Sequence, residues 1–77
     1  MSLELYTIKM CPSCAELRER LEADGVSFVE HDVEADPAAR ARLTRLVGSN
    51  VMVPVLLEDG RISQVGVAGR GCYVGTA

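Results

Sequence analysis

Apolar and polar residues change rhythm several times along this chain, and each change marks an element. Leu3, Leu5, Tyr6 and Ile8 sit in a short extended-looking run, Leu-Glu-Leu-Tyr-Thr-Ile, that reads as a first strand. From Ala15 the spacing lengthens. Leu17 and Leu21 fall one helical turn apart on a single face, and Asp24-Gly25 closes that helix. Val26-Ser-Phe-Val-Glu-His-Asp-Val33 is rich in β-branched and aromatic residues and predicts a second strand. One helix separates it from the first strand, which implies a parallel, right-handed βαβ unit. Asp36 then supplies an N-cap oxygen and Pro37 the first helical position. Ala39, Leu43, Leu46 and Val47 recur at i, i+4, i+7 and i+8, and Gly48 ends the second helix. The runs Met52 to Glu58 and Arg61 to Val67 flank Asp59-Gly60, a pair that readily takes the φ > 0 geometry of a tight hairpin turn. The order is βαβαββ, an α/β arrangement with no repeat, low-complexity tract or linker. At 77 residues it is expected to be one small domain, 1–77.

The chemistry lies at the first strand-to-helix junction, in Cys11-Pro12-Ser13-Cys14. Pro12 suits the first helical turn because its missing N–H would be unpaired there anyway. The free N–H groups of that terminus favour a thiolate over a thiol, so Cys11 is the expected nucleophile, helped by the positive charge of Lys9. Cys14, one turn into the helix, is more sheltered and suited to resolve a mixed disulfide formed at Cys11. The competing reading is half of a zinc site, for which the chain offers only Cys72 and His31 as further ligands. Cys72 itself reads as a buried small hydrophobe, an auxiliary redox thiol, or an intermolecular disulfide or metal ligand. His31, beside Asp32 in a strand, reads as strand packing or a solvated side chain.

Composition narrows the field. A net charge of −3 and an aromatic content of 4% argue against a nucleic-acid partner. No apolar run approaches the ~18 residues of a membrane span, and the first ten residues lack the pattern of a signal peptide. Three cysteines is an odd count, which fits a secreted disulfide framework poorly and a reducing compartment well, so a cytoplasmic location is expected.

The strand, the C-P-x-C motif, the helix, the strand ending Asp32-Val33, the second helix and Met52-Val53-Pro54 leading into a hairpin together resemble a glutaredoxin, within the thioredoxin-like superfamily. The resemblance covers about Leu3 to Gly71. Glu30 to Pro37, Glu58-Asp-Gly60 and the closing Gly69-Arg-Gly-Cys72 are also similar to very small glutaredoxin-like proteins, some of which carry selenocysteine where Cys11 stands. The resemblance implies a four-stranded mixed sheet and a thiol–disulfide oxidoreductase. Its substrates would be a disulfide-containing protein or a glutathione mixed disulfide, and its electron donor glutathione or a thioredoxin-reductase-like protein. No bound cofactor is implied; glutathione is a candidate co-substrate.

The resemblance also implies site residues. The pair matching Val53-Pro54 is a cis peptide facing the dithiol, and the backbone at Val53 pairs with a substrate as an added strand. Lys9 matches a position that helps hold a thiolate or a glutathione carboxylate, and Pro12 and Ser13 border the substrate. Arg40, in the first turn of helix two, matches a position that faces the glutathione glycine carboxylate, although an ordinary solvated helix face explains it equally well. The chain departs from the family in three ways. Ser13 stands where an aromatic residue is usual. No Gly-Gly-x-Asp follows Ile62, although Gly66 to Gly71 could substitute as an anion-binding loop. The usual final helix is absent, so the hairpin's apolar face at Ile62, Val65 and Val67 is expected to be covered by the tail Cys72 to Val74 or by a second subunit in a homodimer. Two other classes stay open: an iron–sulfur cluster or metal carrier using Cys11 thiolates, and a non-enzymatic binding module using the Val53-Pro54 edge.

Overall fold

A computed structural model describes residues 2–48 and 51–74. The four-stranded sheet has the order β2-β1-β4-β5 and is built from β1 (Leu3–Thr7), β2 (Val29–Asp32), β4 (Val55–Glu58) and β5 (Arg61–Val65). The remaining elements are α1 (Pro12–Ala23), α2 (Pro37–Val47), β3 (Met52–Val53) and β6 (Cys72–Tyr73), with β3 and β6 forming a separate two-stranded sheet. β1 runs parallel to β2 and antiparallel to β4, so the sheet is mixed.

Side-chain alternation along the strands assigns the two faces. Leu5 and its cross-strand partner Leu56 join Leu17, Leu21 and Val67 in one apolar cluster, on the side where α1 packs. Tyr6, Val55 and Leu57 point the other way and pack with Ala39 and Leu43 of α2. The Tyr6 hydroxyl, though buried, is not stranded: Arg42 Nε donates to it at 3.3 Å and it donates to Glu4 Oε1 at 3.4 Å. Glu4 also meets His31 Nε2 at 3.1 Å, so His31 is a half-buried strand residue with a polar partner.

Both helices start where their sequence signals lie. The Asp36 side chain accepts from the N–H groups of Ala38 and Ala39, and Pro37 follows in the first turn. α1 has Cys11 at its N-cap and Pro12 in the first turn, and ends at Asp24, whose N–H donates back to the Arg20 carbonyl at 3.0 Å. The hairpin turn has Asp59 at φ 53° and Gly60 at φ 82°, a left-handed pair that glycine and aspartate tolerate best.

Several expectations need correction. β2 begins at Val29, because Val26 N–H is committed to the Leu21 carbonyl in the turn after α1. The run from Met52 to Glu58 is not one strand: the cis Val53-Pro54 bond divides it into β3 and β4, so the order gains two elements over βαβαββ. β5 stops at Val65, and Val67 and Arg70 exchange backbone bonds of 2.7 and 2.9 Å across a tight turn. That turn uses the N–H groups of Val67 and Arg70, and Gly66 N–H goes to the Pro54 carbonyl at 2.8 Å, so Gly66 to Gly71 forms a chain reversal with three of its N–H groups already engaged. The tail does fold back, but onto β3 and not over the hairpin. Ile62 and Val65 stay 43% and 41% exposed on the edge strand, while Val67 is buried against α1. Residues 75–77 of the tail lie outside the described residues.

Candidate active site

The turn from β1 into α1 delivers Cys11 to a crowded place. Met10 adopts φ 58°, and Cys11 then takes an extended conformation at the N-cap, its carbonyl accepting the Ala15 N–H at 3.1 Å. No side chain caps this terminus, so the first-turn N–H dipoles remain directed toward the residue that opens the helix. Cys11, Cys14 and Val53 belong to the same buried cluster, and Cys72 packs at its border. Pro54 is buried beside Val53, and the bond between them is cis, as the resemblance implies.

Cys11 is joined in a disulfide to Cys72, with a Cα–Cα separation of 6.1 Å, and Cys14 is a buried free thiol. Of the readings open to Cys72, the buried small hydrophobe is set aside: in this structure Cys72 is the disulfide partner of Cys11. The physical reason is the pairing of β6 with β3, which sets Cys72 directly opposite Val53. Gly71 permits that approach, since a Cβ there would lie 2.6 Å from the Val53 carbonyl oxygen and 2.7 Å from Met52 Cγ. An odd cysteine and a glycine just before it were the only sequence signals for this contact. They become legible only once the chain reversal at Val67 to Arg70 is known.

Burial pushes the Cys14 thiol pKa up, against the pull of a backbone hydrogen bond from Ile8 and the charge of Arg18. Arg18 is engaged by Glu30: its Nε donates to Oε1 at 2.8 Å and its Nη2 to Oε2 at 2.5 Å, while Thr7 Oγ1 donates to the same carboxylate at 2.8 Å. The Arg18 hydrogen bond holds the Glu30 pKa below its ordinary value, with partial burial opposing.

A groove of about 360 Å³ opens beside Cys11, lined by Ile8, Met10, Cys11, Pro12, Ala15 and Arg18. Met10 is fully exposed there, an apolar side chain next to Cys11 that sequence reading passed over. The cation of this groove is Arg18, on the same helix face as the cysteines. Lys9 is exposed in the preceding turn, Ser13 is half-buried in the first turn of α1, and Arg40 is half-buried on α2; none of the three lines the groove. Among the described residues no group of three or more His, Cys, Asp or Glu side chains is arranged to hold a metal ion. No helix among them is long and apolar enough to cross a membrane.

A helix opening on a cysteine beside a cis-proline, over a mixed sheet with a helix on each face, defines a thioredoxin-like protein. The structure is similar to the crystal structure of the thioredoxin-like protein BC3987, with a TM-score of 0.72 and 36% identity over 79% of this chain and 82% of that one. A single-residue mutant of that same protein matches with the same TM-score and 34% identity, over 79% and 81% of the two chains. The glutaredoxin family profile matches residues 3–62, and the chain belongs to the glutaredoxin family. Curated relatives include a glutaredoxin of Pseudomonas aeruginosa, 29% identical over 75% of this chain and 69% of its own length. Glutaredoxin 3 of Escherichia coli K12 is 26% identical over 79% of this chain and 74% of its own. These relationships support thiol–disulfide oxidoreductase activity in general.

Proposed function

We propose that this protein is a disulfide reductase that uses the Cys11-Pro-Ser-Cys14 dithiol, with Cys11 as nucleophile and Cys14 as resolving thiol. The observation that carries this reading is the position of Cys11: it opens α1 at an N-cap without a competing side chain, inside one cluster with Cys14 and Val53. The Cys11 thiolate attacks a substrate disulfide, one substrate sulfur leaves as a thiolate, and a mixed disulfide remains on Cys11. Cys14 gives up its proton and attacks Cys11 Sγ, releasing the second substrate thiol and closing a Cys11–Cys14 disulfide. Two electrons pass from the dithiol to the substrate. Burial of Cys14 keeps it protonated and silent until the mixed disulfide forms one turn away.

Val53 and Pro54 form the wall against which an extended substrate lies, and Pro12, Ser13 and Lys9 border the reacting sulfur. Arg40 and Lys9 supply positive charge for the carboxylates of glutathione, which serves as the reducing co-substrate, as is general in this family. A reducing compartment such as the cytosol is where this chemistry turns over. The test is turnover on a glutathione mixed disulfide, coupled to glutathione and its reductase. Cys11→Ser is expected to fall to the uncatalysed rate, while Cys14→Ser retains activity on glutathione mixed disulfides and is slowed on protein disulfides. Unchanged turnover in Cys11→Ser would sink the assignment.

A further inference from the structure

Without β6, the short strand β3 would be an open edge beside the nucleophile: among the described residues β6 is its only strand partner. Val74 N–H donates to the Val51 carbonyl at 2.9 Å, so the alternation of an antiparallel ladder makes Val53 and Cys72 a pair that exchanges both backbone bonds. The main-chain groups at Val53, those an added substrate strand would use, are therefore already used, and the sulfur facing Cys11 belongs to the same chain. β6 holds through a ladder of two residue pairs, the Val74 N–H bond to Val51, the buried Val74 side chain, the disulfide, and an exposed ion pair of 3.6 Å between Arg70 in its turn and Glu16 on α1. A strand of two residues has fewer such anchors than the four-stranded sheet and opens before it.

We propose that Cys72 is a third redox residue and β6 a built-in substitute for the substrate strand, so that oxidation closes the site as a Cys11–Cys72 disulfide and Cys14 reopens it. This rests on the Cys11 nucleophile described above. In the reopening step the Cys14 thiolate attacks Cys11 Sγ, the Cys11–Cys72 bond breaks, a Cys11–Cys14 bond forms, and Cys72 leaves as a thiolate that takes up a proton. The number of disulfides is unchanged and no oxidant or reductant is consumed. Cys14 sits three positions after Cys11 on the same helix face, within the side-chain reach that this spacing provides. A low-molecular-weight thiol such as glutathione then returns the Cys11–Cys14 disulfide to the dithiol, supplying two electrons. Closure is the oxidising half: with a substrate mixed disulfide on Cys11, the Cys72 thiolate attacks Cys11 Sγ, the substrate sulfur leaves as a thiolate, and the substrate disulfide has accepted the two electrons.

The experiment is a disulfide map of the full chain, oxidised with glutathione disulfide, acid-quenched, alkylated and read by peptide mass spectrometry. Wild type is expected to contain both Cys11–Cys72 and Cys11–Cys14 bonds. Cys14→Ser should contain Cys11–Cys72 alone, and Gly71→Ala, which blocks the approach of β6, Cys11–Cys14 alone. Reductase turnover of Gly71→Ala on a peptide disulfide should rise at least about twofold, the gain expected when a half-populated closed state is removed. Cys72 fully alkylated in every oxidised sample would overturn the proposal. So would a Cys11–Cys72 bond that never gives way to Cys11–Cys14 in wild type. The map reads pairing directly and stands whether or not turnover is found, whereas loss of the reductase reading would show as wild-type turnover no faster than that of Cys11→Ser.

Discussion

The four-stranded sheet and the two-residue ladder between β3 and β6 lie in one small molecule but are secured by different means. The first buries Leu5, Leu17 and Leu56 on one face and Tyr6, Leu43 and Leu57 on the other, each nearly or fully closed to solvent. Leucines buried in this way contribute about 1.5 to 3 kcal/mol apiece. The second buries Val53 and, just past β6, Val74; its other fixed points are a covalent bond that redox chemistry can break and a surface ion pair of the kind that contributes roughly 0 to 1 kcal/mol. On the proposed chemistry, separating the two lets Cys11 change partners while the sheet that carries it stays whole.

The comparison can be broken first at the core. Leu43→Ala removes a side chain with no exposed surface and is expected to destabilise the protein by about 2 to 5 kcal/mol, equally in the oxidised and reduced states. Denaturant unfolding of both forms checks it, and a loss confined to one redox state would mean that the two regions are not separable. The ladder supplies the next effect. A disulfide across 61 residues restricts the unfolded chain by up to about 4 kcal/mol on the chain-entropy account, so the oxidised protein should melt higher than the reduced one. Cys72→Ser, which can still close only the short Cys11–Cys14 loop, should remove most of that difference and leave the reduced melting temperature nearly unchanged. A redox-independent melting curve in wild type would remove β6 from the stability account.

The smallest effect lies between the regions, where Arg18 and Glu30 join α1 to β2 beside the active-site groove. The Glu30 pKa is held below that of the unfolded chain, chiefly by the Arg18 hydrogen bond, so its contribution is complete at neutral pH and is lost as pH falls through the depressed folded-state value. Both side chains are about a third exposed, which keeps the effect modest. Unfolding midpoints of wild type should therefore decline with acidification more steeply than those of Glu30→Gln. Parallel declines would show that the pair contributes nothing to stability.

What was legible in the sequence follows the same division. Helix boundaries at Pro12 and Pro37, the Asp59-Gly60 turn and the alternation of Leu5 and Tyr6 are local signals, decided by residues within a turn or two of one another. The family resemblance added the cis bond at Pro54, which local rules do not predict. The partner of Cys72 was not legible because its environment is set by a chain reversal that brings it opposite Val53, a contact without periodicity or motif. Arg18 and Met10 escaped for a related reason: each looks like an ordinary helix or turn residue until the groove beside Cys11 is formed.

The central claim is that Cys11 is the thiol that attacks substrate and that its neighbours, Cys14 and Cys72, act by attacking the Cys11 sulfur in the disulfides it has formed. The direct test uses the full chain with both neighbours replaced, Cys14→Ser with Cys72→Ser, incubated with a peptide disulfide and analysed by intact mass under non-reducing conditions. One peptide should be held per protein molecule, attached to Cys11 and removable by glutathione. No captured peptide on Cys11, with capture instead by Cys14 when Cys11 is the residue replaced, would contradict the account.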